Sequence, residues 1–169
     1  MKKTFVIILT LIGIVTFGQE NKLDRIENEV NLINSDSTLI ESKFEVTNDS
    51  SIYIVIAIWH IKNKIYKIEK NSTLNYGEIK STLYLSDGVP IKIIETESEN
   101  YFLPDSLVQI KGYDVDIMEN YKGISYIYNW KKNKRELIQT GQPTGNSDIS
   151  LEWSKYIEIL RKSIKLISE

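Results

Sequence analysis

The 169-residue sequence contains no cysteine, a single histidine and a single alanine. Without cysteine there is no disulfide, thiol nucleophile or thiolate metal site, so a domain made from this chain is held by its core alone. With His60 as the sole histidine, any Ser-His-Asp site or imidazole metal site would have to use it. His60 ends a strongly apolar run, where a place at the rim of a core accounts for it without chemistry. A large excess of one charge is also missing: the formal net charge is −2. Such a chain has no general pull toward nucleic acid or anionic lipid. Lysine greatly outnumbers arginine and Ala57 stands alone, a bias of AT-rich coding rather than of function.

The N-terminus has a clear pattern. Lys2 and Lys3 precede an apolar run from Phe5 to Phe17, and Thr16-Phe17-Gly18 brings small residues before the chain turns polar at Gln19. This order reads as a secretory signal peptide over residues 1–18, with export to the periplasm or the medium. The alternative, an uncleaved anchor, is disfavoured because a helix needs about 20 apolar residues to cross a bilayer. No cysteine follows the run to carry a lipid. Processing removes two lysines and leaves 19 basic against 23 acidic groups, a net charge of −4. Residues 19–169 then suffice for one core and one domain, with no membrane span after cleavage.

Leu23, Ile26, Val30 and Ile33 make one apolar stripe on a helix over 22–34. From Thr38 the period becomes two, with Ile40, Phe44 and Val46 facing one way. Residues 52–61 are apolar at odd and even positions alike and rich in isoleucine, as in a central strand. Strands follow at 65–70, 78–85, 89–97, 113–119, 123–130 and 135–140, with turns at Lys62-Asn63-Lys64, 71–77, Ser86-Asp87-Gly88 and 131–134 and a loop over 98–112. Asn63, Asp87 and Asn133 mark turns spaced by 24 and 46 residues, near one and two units of 23. After a Gly/Pro break, Ser147 or Asp148 can cap a helix to about residue 167 with the stripe Trp153, Ile157, Leu160, Ile164 and Ile167. The expected fold is α+β: an N-terminal helix, an antiparallel meander and a C-terminal helix packed on one sheet face.

The segments from Ile61 to Glu69 and from Tyr84 to Ile91, with the Phe17-Gly18-Gln19 junction, resemble a pattern in small exported proteins of Bacteroidota. In those proteins strand, Asn- or Asp-containing turn and strand repeat as a meander. The resemblance implies an exported compartment and a meander, and carries no catalytic residues across. Asp36-Ser37-Thr38 and Asp105-Ser106-Leu107 are similar to the short O-glycosylation acceptor motif of that group.

Asp114 and Asp116 share one side of a strand near Glu119, and Glu95, Glu97 and Glu99 form a similar stripe. A calcium site needs about six or seven oxygens, which no Asp/Asn-Gly loop here supplies, so both stripes are expected on solvated strand faces. Lys62, Lys64, Lys67 and Lys70, and Lys131, Lys132, Lys134 and Arg135, are read as hairpin-tip charges that keep the protein soluble and its edges unpaired. No cofactor and no nucleic acid is expected.

Three-residue loops at Lys62-Asn63-Lys64 and Ser86-Asp87-Gly88 would put Ile58, Ile68, Ile79, Leu83, Leu85, Ile91 and Ile93 on one face. The other face then carries Tyr53, Trp59, Lys67, Tyr84 and Lys92, with Lys80 nearby and Tyr126, Tyr128 and Trp130 as a possible extension. The apolar face is expected under both helices and the aromatic–lysine face open. The functional expectation is a non-enzymatic exported protein that binds a ligand, glycan or envelope protein on that open face. The competing expectation is an envelope hydrolase using a desolvated carboxylate pair.

Overall fold

The computed structural model describes residues 22–47, 53–102, 115–143 and 153–168. The signal segment 1–18, the processing point at Gln19, Ser147, Asp148, Asp114 and the Asp105-Ser106-Leu107 triplet lie outside them. The elements are α1 (Lys22–Ser35), β1 (Ile40–Thr47), β2 (Tyr53–Ile61), β3 (Lys64–Leu74), β4 (Gly77–Ser86), β5 (Val89–Phe102), β6 (Val115–Asn129), β7 (Lys134–Gly141) and α2 (Trp153–Ser168). All seven strands form one antiparallel sheet in sequential order, so the fold is an α+β meander. Among the described residues no helix is long and apolar enough to cross a membrane. The doubly apolar strand β2 lies second from the edge, between β1 and β3, rather than at the centre.

Several strands outrun their sequence signals. β3 continues through Asn71-Ser72-Thr73-Leu74, because these polar residues pair with β2 on one side and β4 on the other. Only Asn75 and Tyr76 remain to turn the chain. β5 extends to Phe102 through what reads as loop, and 115–129 is one strand rather than two. Paired ladders on both sides satisfy the backbone wherever the side chains are indifferent to strand.

The turns fall where expected, but they are tighter. Ile61 pairs with Lys64 and Ser86 with Val89, so both loops contain two residues rather than three. Lys62, Asp87 and Asn133 have φ of 52°, 48° and 48°, and Gly88 has 76°. Asp–Gly at the second turn suits this left-handed backbone; at the first, Lys62 and not Asn63 adopts it. A bulge at Tyr66 restores Ile58 opposite Ile68. A bulge at Ile91 sets Leu83 opposite Ile93, two residues from the expected register. A shift of two preserves which face each side chain takes, whereas a shift of one inverts it. Only Ile91 and the two residues between it and the turn change face: Ile91 packs on the aromatic side, against the α1 cluster, and Pro90 rather than Val89 opposes Leu85.

The sheet is covered on both faces, not one. On the isoleucine face Ile56, Ile58, Ile65, Ile68, Leu83, Leu85, Ile93 and Ile127 form a core closed by Tyr156 and Ile159 of α2. On the other, Ile26, Val30 and Ile33 of α1 pack against Tyr84 and Tyr126. α1 rests on β4, β5 and β6, and α2 contacts β3. The α2 stripe also differs from the expected one: Tyr156, Ile159 and Ser163 are buried, Leu160 and Ile167 are partly so, and Ile164 is 52% exposed. Tyr156 hydroxyl and Lys155 ammonium both reach a buried carboxylate, and that fixes the roll of the helix.

Candidate functional site

Antiparallel register aligns one residue from each of five successive strands on the α1 face. Trp59 opposes Lys67, Lys67 opposes Tyr84, Tyr84 opposes Lys92 and Lys92 opposes Tyr126. Aromatic and cationic side chains therefore alternate across the sheet. Lys67 Nζ lies 4.3 Å from the centroid of the Trp59 ring and 5.7 Å from that of Tyr84. Lys92 Nζ lies 5.2 Å from that of Tyr126. These distances are within reach of the ring quadrupole. Tyr53 belongs to the same face of β2 and is exposed.

The residues expected on an open surface thus share a face, but α1 divides it. Tyr84 and Lys92 are buried beneath the helix, so they are not part of any open surface. The cause is Glu27, which sits beside the apolar stripe of α1. Its carboxylate accepts from Lys92 Nζ at 2.6 and 2.8 Å and from the Tyr126 hydroxyl at 2.6 Å. A lysine can be buried when its charge is neutralised and its donors are satisfied. Burial alone would raise the Glu27 carboxyl, but the hydrogen bonds of Lys92 and Tyr126 outweigh it and hold the group below the usual range. Burial and the Glu27 hydrogen bond push the Tyr126 phenol up to about 12.

Outside the α1 contacts lies a second polar set on β1–β4. Lys67 and Lys80 donate to the two oxygens of Glu69 at 2.7 and 2.9 Å, and Lys43 pairs with Glu41 at 3.2 Å. Burial would raise Glu69, yet the two lysines hold it low. Tyr53 hydrogen-bonds Glu45, which raises its phenol. Of the extending aromatics, Tyr126 is buried under α1 and Tyr128 donates to Glu136 at 2.7 Å, while Trp130 packs on the opposite core.

The α2 face carries the largest departure from expectation. Glu95 and Glu97 are both 0% exposed rather than solvated. Glu95 Oε2 accepts from Ser81 Oγ at 2.9 Å, Lys155 Nζ at 2.5 Å and the Tyr156 hydroxyl at 3.0 Å. Burial and the Glu95 charge push the Tyr156 phenol far up, and raise Tyr121 against the pull of Arg135. Buried in this way, Glu95 clamps α2 to the sheet. The signal was present in the sequence: continuing the parity of Ile93 by two and four places puts Glu95 and Glu97 on the core face. Glu27, Lys155 and Tyr156 carried no such signal, since each depends on where a helix docks.

His60 is held at the strand end between the Lys62 carbonyl (2.6 Å from Nδ1) and the Ser42 hydroxyl (2.9 Å from Nε2). Of Lys62, Lys64, Lys67 and Lys70, the first group read as hairpin-tip charges, only Lys62 and Lys64 are at the tip. Lys64 bridges to Asp87 of the next hairpin at 2.8 Å, while Lys67 and Lys70 fall on opposite faces of β3. Asp36 of the Asp36-Ser37-Thr38 turn accepts from the Thr38 amide and hydroxyl at 2.9 and 2.6 Å. The Asp114/Asp116 pair falls partly outside the described residues and is not placed. Comparison with protein-family models, curated proteins and solved structures finds no match.

Proposed function

We propose that this is an exported, non-enzymatic binding protein, and that its recognition surface is the part of the aromatic–lysine face that α1 leaves uncovered. Tyr53, Trp59, Lys67 and Lys80 form that surface. The observation that supports this reading is its charge balance: Lys67 and Lys80 share Glu69, Lys43 pairs with Glu41, and Tyr53 is bonded to Glu45. Three lysines against three glutamates leave the set neutral as a whole, and balanced donors and acceptors beside aromatic rings suit a neutral glycan. Sugar CH faces lie on Trp59 and Tyr53, and the paired charges meet the hydroxyl groups. An open surface that runs across neighbouring strands favours an extended chain of sugars over a compact ligand. Export follows from the N-terminal segment and gives the surface access to envelope glycans.

The test is titration of the exported protein with neutral and anionic oligosaccharides of equal length, followed by tryptophan fluorescence and calorimetry. Neutral chains should bind, and the Tyr53→Ala/Lys80→Ala double variant should lose binding by about tenfold or more while its melting temperature stays near wild type. Equal affinity in that variant, or no binding by any neutral chain, would overturn the reading.

A further inference from the structure

On the opposite face, α2 and the first three strands enclose a cleft of about 180 Å³. Val46, Ile54, Ile56 and Ile159 make its floor, and Lys70, Lys155 and Lys162 stand at its rim with Glu158. We infer that this cleft is a second binding site, independent of the sheet surface above, for a monoanionic carboxylate carried on a compact hydrocarbon body.

Three observations support this. The first is charge. Lys155 is neutralised by Glu95 and Lys162 by Glu158, which leaves the positive charge of Lys70 without a carboxylate partner among the described residues. One uncompensated cation calls for one negative charge, and a dianion would overshoot it. The second is position. Lys70 is half-buried on the isoleucine face of β3, paired across to Ile56, so its ammonium is drawn out of water beside apolar walls. Burial, with the like charges of Lys155 and Lys162, pulls its pKa down against the weaker opposing pull of Glu158 and Glu95. A bound carboxylate relieves that penalty. The third is size. An apolar cavity of about 150 Å³ accommodates benzene, so this cleft suits a body of roughly six carbons. The floor supplies no polar partner for that end of the ligand.

The probes are hexanoate, benzoate, inorganic phosphate and hexanol, each titrated into the exported protein and followed by calorimetry and by chemical-shift changes at Ile54, Ile56 and Ile159. Hexanoate and benzoate should bind saturably at one site, and phosphate and hexanol at least about tenfold more weakly, since each lacks half of the recognition. Lys70→Met should keep the fold, because it replaces a half-buried charged chain with an apolar one of similar volume, and should lower carboxylate affinity by about tenfold or more. Val46→Phe, which fills the floor while leaving every lysine in place, should abolish binding. The Tyr53→Ala/Lys80→Ala variant should bind hexanoate as wild type does, which separates this site from the glycan surface. The inference fails if no carboxylate saturates the site, if phosphate matches hexanoate, or if Lys70→Met binds unchanged.

Discussion

Replacing Glu27 by alanine strands the Lys92 ammonium under α1. The side chain of Lys92 is 7% exposed and that of Glu27 37%. Removing one partner of a fully buried ion pair costs about 3–5 kcal/mol, because the remaining charge stays desolvated. Here the carboxylate side of the pair is partly in water, which screens it, so a loss of about 2–3 kcal/mol is expected, including the acceptor taken from Tyr126. For a domain of this size that corresponds to a fall of roughly 5–10 °C in melting temperature. The double variant Glu27→Leu/Lys92→Met removes both charges and should recover most of the loss, since apolar replacement of a buried pair is often neutral or better. pH supplies a separate check. The folded pKa of Glu27 lies below its ordinary value of 4.5, so its stabilisation is full above that value and is lost as pH falls through the lower, folded value. The gap between wild type and Glu27→Ala should therefore close in acid and stay open at neutral pH. Urea unfolding of these three proteins at two pH values measures this. A Glu27→Ala loss below about 0.5 kcal/mol at neutral pH would show that α1 is not held by this pair.

The roll of α2 is tested by Ile159→Ala, which should cost about 2–4 kcal/mol, against Ile164→Ala, which should cost under about 0.5; the reverse order would return the helix to the stripe expected from sequence. Removing residues 148–169 should abolish cooperative unfolding, because Tyr156 and Ile159 close the larger core and total stability is only about 5–15 kcal/mol; an unchanged melt would refute this. Gly77→Ala should destabilise by roughly 3 kcal/mol or more, since an added Cβ would stand 1.9 Å from the Ser98 carbonyl oxygen, a backbone atom that cannot step aside. Intact mass of the exported protein should begin at Gln19, and a mature chain that retains Met1 would refute export by cleavage.

The period of the sequence determined a great deal by itself. Alternation in β1, β4 and β5, the doubly apolar run of β2, the turn chemistry near Asn63, Asp87 and Asn133, and the spacing in α1 are local properties, set by side-chain direction within a few residues. They suffice for element type, for an antiparallel meander and for the shared face of Trp59, Lys67, Tyr84 and Lys92, because even the two bulges near the hairpins left parity intact. The lengths of β3, β5 and β6 were not legible in the same way, since Asn71–Leu74 and the residues after Glu97 are held in strand by their neighbours rather than by their own preference. Only the tertiary structure decided which helix covers which face. Nothing within α1 distinguishes a docking partner made of isoleucines from one made of tyrosines. The choice is settled when Glu27 finds Lys92 and Tyr126, which lie 65 and 99 residues away. In the same way a one-residue roll of α2 exchanges Ile164 for Ser163, and it is fixed by Lys155 and Tyr156 meeting Glu95 about 60 residues upstream. Buried charges carry this information because an unpaired one is too costly to tolerate, so each pair selects one docking geometry out of several that would bury similar apolar area.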